Sequence, residues 1–314
     1  MPDSKLLIIG IHGLSNKPPK HQLADWWRSS IVEGLAKNCD LNDPEFDFQM
    51  VYWADTLYSS PLHTNPAFSF DNLYNEEPYA AAEDGSLREY ADGWRDEARR
   101  IALGAGGSVL DLVKSNLSVN FVANWVLEKT LKDLDFYYDE NRKLRDPVTH
   151  EMEHARAVLM GVLDRELESA RGRPNLLIGH SMGSIIAYDV LRDLGERADA
   201  FDIDHFATIG SPLGLPHVKI NVDQERKHRP GAALRSPTVV AKSWTNFADR
   251  ADPVALDAHL SDDYEENARG IVVGDDLVSN DYAKPGDPED RNHHKSYGYL
   301  RTPELSRLIA ALLK

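Results

Sequence analysis

Cysteine is nearly missing from this chain: Cys39 stands alone among 314 residues. One thiol can neither close an internal disulfide nor build a thiolate metal cluster. Long apolar runs are missing too. The N-terminal run Leu6-Leu7-Ile8-Ile9-Gly10-Ile11 is too short for a secretory leader and far too short to span a bilayer. Elsewhere the most suspicious stretch is Ser115 to Leu127, 13 residues without a charge, but it contains Ser115, Asn116, Ser118, Asn120 and Asn124. The expectation is a cytoplasmic protein with no transmembrane segment. Basic residues are scarce: 35 Lys and Arg stand against 51 Asp and Glu, a formal charge of −16. That balance opposes binding to phosphates, which excludes nucleic acid as the main partner and a polybasic grip on anionic membranes.

What is present is enough apolar material, 42% of residues, for a sizeable core in one domain or one domain with an insertion. Short apolar runs alternate with amphipathic stretches, which predicts an α/β fold with a mostly parallel sheet covered by helices. The predicted strands are Lys5–Ile11, Phe46–Trp53, Asn175–Gly179, His205–Ile209, Val239–Asn246 and Gly270–Val273. Apolar stripes predict helices over 20–37, 149–170 and 183–194. A last helix opens at Thr302-Pro303, a cap followed by a first-turn proline. Residues 54–147 break the alternation. They are expected to form a mainly helical cap inserted between core segments 1–53 and 148–314, with the glycine cluster 104–107 as a helix–helix turn. The insertion's aromatics (Tyr58, Phe68, Phe70, Tyr74, Tyr79, Tyr90, Trp94) are expected to make a small core of their own.

The sharpest signal is Gly179-His180-Ser181-Met182-Gly183, directly after a predicted strand and opening a predicted helix. A serine on such a sharp turn is strained, with its hydroxyl pushed into the open, and the flanking glycines avoid collisions. The helix N-terminus aims free N–H groups at the same spot. Serine needs a base, and the base needs an orienting carboxylate. Both should follow on loops after later strands. The chain supplies Asp249 and Asp252 after the strand at 239–246, then His293 and His294 before the last helix.

With Ile9-Gly10-Ile11-His12-Gly13-Leu14, Ile209-Gly210-Ser211-Pro212-Leu213-Gly214 and Asp252-Pro253-Val254 added, the chain resembles the α/β-hydrolase superfamily, and within it the serine esterases and lipases. The resemblance spans nearly the whole chain except the insertion. It implies Ser181 as nucleophile and the N–H groups of Leu14 and Met182 as oxyanion hole. Asp252 is preferred as the acid because Asp-Pro-Val resembles the family's acid turn, with Asp249 the alternative. His294 is preferred as the base on its spacing to Tyr297, with His293 the alternative. The implied activity is hydrolysis of small-molecule or lipid carboxylic esters through an acyl-enzyme, without a cofactor. A thioesterase, acyltransferase or phospholipid hydrolase on the same residues is the alternative.

Rival readings are weaker. His150-Glu151-Met152-Glu153-His154 matches H-E-x-x-H, which on a helix could grip zinc with Glu151 as base. It reads better as a polar helix start. Gln224 to Arg229 reads as a solvated charged loop, and His12 and His180 as orienting or packing residues beside the oxyanion site. A catalytically silent binding module on the same fold is the remaining class, and oligomeric state is left open.

Overall fold

The computed structural model describes residues 5–82, 134–226 and 234–314. Residues 83–133 of the expected helical cap, with its glycine cluster, Tyr90 and Trp94, and residues 227–229 of the charged loop lie outside them. Six strands form one parallel sheet: β1 (Leu7–Ile11), β2 (Asp47–Val51), β5 (Asn175–His180), β6 (Ile203–Ile209), β7 (Val240–Ala248) and β8 (Val273–Leu277). Their order is β2-β1-β5-β6-β7-β8. Two short antiparallel pairs lie outside the sheet: β3 (Lys143–Arg145) with β4 (Met152–His154), and β9 (Ala283–Lys284) with β10 (Asp287–Arg291).

Central strands β1 and β5 are buried along their whole length, as expected where helices cover both faces. On one face α2 (Ala155–Leu167), α3 (Met182–Gly195) and α4 (Pro216–Arg226) pack over Ile9, Ile11, Leu177, Phe206 and Trp244. On the other, α1 (Lys20–Cys39), α5 (Ser296–Leu300) and α6 (Pro303–Leu312) cover Ile8, Leu176, Ile178, Ala207 and Phe247. The chain runs outward from β1 to β2, then returns to β5 on the other side of β1. The order reverses between β1 and β5, and open α/β sheets place their ligands at the carboxyl ends of the strands at such a reversal.

Three sequence expectations are corrected. The helix predicted over 149–170 starts only at Ala155. Asp146 accepts the N–H groups of Val148 and Thr149, His150 sits at φ 61°, and residues 152–154 pair with 143–145. Met152, within the range whose apolar stripe predicted that helix, is exposed. The last predicted strand shifts from 270–273 to 273–277. Val272 points outward, while pairing with β7 begins at Val273 and continues through two aspartates. An edge strand tolerates them, and Asp275 accepts the N–H groups of Leu260 and Ser261. Phe68 and Phe70 lie exposed around a single 3-10 turn instead of in a core.

Buried charge ties down the described ends of the insertion. Arg301 is 2% exposed; it donates to Asp281 at 2.8 Å, to Glu33 at 3.3 Å and to the Ala80 carbonyl at 2.7 Å. Across the sheet, Tyr137 and Arg156 both donate to buried Asp189. Removing one partner of a buried charge network leaves the others unpaired, at about 3–5 kcal/mol. Arg301→Ala is therefore expected to lower the urea-unfolding free energy by about that amount; a loss below about 1 kcal/mol, the scale of a surface ion pair, would show the cluster to be solvated.

Candidate functional site

The turn from β5 into α3 creates the site. Ser181 caps α3 with φ 52° and ψ −129°, a conformation that costs a non-glycine residue on the order of 1–3 kcal/mol. The surroundings hold it there. Ser181 N–H donates to the Ile209 carbonyl at 3.1 Å, and its own carbonyl accepts Ser184 N–H at 2.9 Å and Ser184 Oγ at 2.6 Å. The flanking glycines are sterically required. A Cβ at 179 would lie 2.8 Å from Ser184 Cα, and one at 183 would lie 2.5 Å from the Ile11 carbonyl oxygen.

Ser181 Oγ lies 2.9 Å from His294 Nε2. His294 Nδ1 lies 2.8 and 3.0 Å from the two carboxylate oxygens of Asp252. A carboxylate only accepts, so Nδ1 carries the proton and Nε2 is left to accept from the hydroxyl. Asp252 is fully buried, and its remaining capacity is used: Oδ1 accepts Val254 N–H at 2.8 Å and Oδ2 accepts Tyr299 O–H at 2.7 Å. Burial, with Asp252 and Asp249 close by, pushes the Tyr299 phenol well above its ordinary range, so it remains a donor.

The two alternatives form a pair of their own. His293 Nδ1 lies 2.9 Å from Asp249 Oδ2, which also accepts Asn280 N–H at 2.8 Å. The adjacent histidines thus face different carboxylates, and the Ser181 hydroxyl meets His294. Tyr297, used to choose between them, packs instead against Trp26, Tyr79 and Tyr282. Tyr299 is the one that joins the acid loop, accepting Asp249 N–H while it donates to Asp252.

Residue 181 is 3% exposed, against the expectation of an open hydroxyl. The loop after β1 closes over it: a Cβ on Gly13 would lie 2.7 Å from Ser181 Cβ. Leu14 follows on that loop. Its carbonyl and that of Ser15 both accept Lys17 Nζ. Met182 opens α3, so its N–H has no partner within the helix.

His12 and His180 act as struts. His12 Nε2 accepts Trp53 N–H at 3.1 Å, and Nδ1 donates to the Gly13 carbonyl at 2.7 Å. The ring stacks on Trp53 at 4.7 Å. His180 Nε2 donates to the His294 carbonyl at 2.8 Å. Burial above all depresses both imidazoles well below the usual range, helped by Lys17 at His12 and by His294 at His180.

Sequence reasoning missed Tyr299, Asn280 and Asn292, and quoted Gly210 in a motif without giving it a role. Gly210, at φ 53°, faces the site so closely that a Cβ would lie 2.8 Å from Asp252 Oδ2. The glycine in Ile209-Gly210-Ser211 was a signal for it; nothing local marks the other three. The H-E-x-x-H segment is corrected. It lies on a hairpin with both histidines exposed, so the shared helical face required for zinc is not formed. Among the described residues a compact acidic group is Asp257, Asp262 and Asp263, and Lys219 pairs with the first and last of these.

No family model matches the chain, and no curated protein does. A solved structure from Agrobacterium vitis S4, which carries the name putative hydrolase, is 14% identical over 50% of this chain and 68% of that one, with a TM-score of 0.30. Among the described residues no helix is long and apolar enough to cross a membrane.

Both struts bear on pH stability. A histidine held neutral in the fold binds its proton only on unfolding. Stability is therefore retained above pH 6.5 and falls below it, by about 1.4 kcal/mol per pH unit for each group, until the folded-state value is reached. Urea unfolding of the wild type between pH 7 and 5 should show this decline, and His12→Gln should have a shallower slope by about one proton's worth. Equal slopes would mean that His12 is protonated in the fold.

Proposed function

We propose that this chain is a serine hydrolase of the α/β-hydrolase type that cleaves carboxylic esters. The reading rests above all on the hydrogen-bonded line from Ser181 Oγ through His294 to Asp252, with links of 2.9 and 2.8 Å. Its position supports the same reading, since Ser181 follows the carboxyl end of β5, where the sheet order reverses.

Ser181 Oγ attacks the ester carbonyl while His294 Nε2 takes its proton. Asp252 keeps the imidazole in the tautomer that can do so and stabilises the imidazolium that results. Charge builds on the carbonyl oxygen, and the N–H groups of Leu14 and Met182 stabilise it; a donor of this kind lowers the barrier by about 3 kcal/mol. His294 then protonates the departing alcohol. Water, activated by the same imidazole, releases the acid and restores Ser181. Tyr299 O–H, donating to Asp252 Oδ2, holds that carboxyl group turned toward His294. A mostly buried hydroxyl is shielded from bulk solvent, which strengthens each of these electrostatic steps.

Ser181→Ala should reduce kcat/KM on p-nitrophenyl acetate by about 10⁴-fold or more, with an unchanged unfolding midpoint. Asp252→Asn should cost a comparable factor through loss of the tautomer, and Tyr299→Phe about tenfold through one hydrogen bond to a charged group. A fluorophosphonate probe should add to Ser181 in the wild type, as read by peptide mass. A Ser181→Ala protein with full activity, or a wild type that neither turns over esters and thioesters nor takes the probe, would overturn the reading.

A further inference from the structure

The turn that carries His294 is fastened at five backbone groups near the imidazole. His294 O accepts His180 Nε2 at 2.8 Å, and the carbonyls of His293 and Lys295 both accept Asn280 Nδ2 at 2.8 Å. His294 N–H donates to Asn292 Oδ1 at 3.0 Å, and Lys295 N–H to the Asn292 carbonyl at 3.0 Å. His180 ends β5, Asn280 follows β8, and Asn292 belongs to the turn itself and is held from further away. The amide nitrogen of Asn292 donates to both oxygens of Glu77, at 2.9 and 3.0 Å, and Lys295 Nζ donates to Glu77 Oε2 at 3.0 Å. Glu77 lies more than 200 residues earlier, in the part of the chain inserted between β2 and β3.

Glu77 is itself braced. Tyr282 O–H donates to the Pro78 carbonyl at 2.7 Å, Arg301 to the Ala80 carbonyl at 2.7 Å, and Ala82 N–H to Glu33 Oε1 at 2.7 Å. Burial raises its carboxyl, but the Lys295 ammonium and the Asn292 amide outweigh burial and leave it below its ordinary range. It is therefore a fixed anion that two of the four residues 292–295 grip from either side of the two histidines.

We infer that Glu77 is a positioning residue for His294, fixing through Asn292 and Lys295 the turn that presents the imidazole to Ser181. The inserted region thereby supplies part of the support for the base, not only cover for the site. The inference rests on the reading of Ser181 and His294 as nucleophile and base.

Donor and acceptor can be exchanged across this contact, which gives the test. Glu77→Gln removes the anion at nearly constant shape. Asn292→Asp sets two carboxylates against each other. The Glu77→Gln/Asn292→Asp double variant restores a complementary pair: the amide introduced at position 77 donates to the carboxylate introduced at position 292, whose other oxygen is still available to His294 N–H. Each single variant is expected to lower kcat on p-nitrophenyl acetate by about tenfold, with KM within about twofold, and to slow fluorophosphonate labelling by the same factor. The double variant should recover to within about threefold of wild type. Glu76→Gln, which removes only an exposed pair with Lys284, should leave both rates unchanged. Amide hydrogen exchange reads the clamp without reference to activity: the His294 N–H should exchange about tenfold faster in Glu77→Gln. Unchanged exchange, or losses in the double variant that merely add, would overturn the inference. If the wild type proves inert to ester and probe, the proposed hydrolase falls, while the exchange measurement still decides whether Glu77 holds the turn.

Discussion

Three stretches of main chain meet around Ser181 at distances that leave no room for a Cβ. Gly183 abuts the carbonyls that end β1, Gly179 abuts the first turn of α3, and Gly13 lies against Ser181 itself. The left-handed turn at Ser181 exists because these approaches hold it, and they exist because the three positions are glycine. Everything else at the site is arranged around this packed backbone. The direction of Oγ, the placement of the Leu14 loop and the start of α3 are settled together, and none can shift without moving the others.

Polar saturation then does what backbone contact cannot. Asp252 and Asp249 sit on one short loop, buried at 1% and 4% exposure, where an unpaired carboxylate would be costly. Each is satisfied by local N–H groups and by one histidine, and Tyr299 joins the two. The tautomers of His12, His180 and His294 follow from partners that can only donate or only accept. Such fully satisfied networks are rigid, so the imidazole facing Ser181 has little freedom to turn away.

Much of this was legible in the sequence because it is local. Glycine spacing around Ser181 reports a steric requirement, and unbroken apolar runs such as Leu6–Ile11 and Leu176–Ile178 report burial on both faces of a sheet. The illegible parts are those decided at a distance. The 150–154 segment carries a helix-compatible pattern, yet Asp146 and the left-handed His150 turn it into a hairpin. The edge strand β8 hides behind its aspartates, because only its place in the sheet makes them tolerable. Tyr299, Asn280, Asn292 and Glu77 have no local signature at all: their importance comes from which loops the fold brings together. Tyr297 and Tyr299 look alike in sequence, and only the direction of α5 sends Tyr299 to the loop of Asp249 and Asp252 and Tyr297 to Trp26, Tyr79 and Tyr282.

One bond described above reaches further than its length. His12 Nδ1–H donates to the oxygen of Gly13, and that oxygen belongs to the peptide unit whose nitrogen is Leu14's. Withdrawing electron density at one end of an amide leaves the hydrogen at the other end more positive. The imidazole therefore primes a group it never touches, and uncharged as it is, it does so without setting a competing cation beside the place where negative charge would gather. A buried aromatic ring locked in one tautomer serves here as an electrical bias on the main chain, set once by folding.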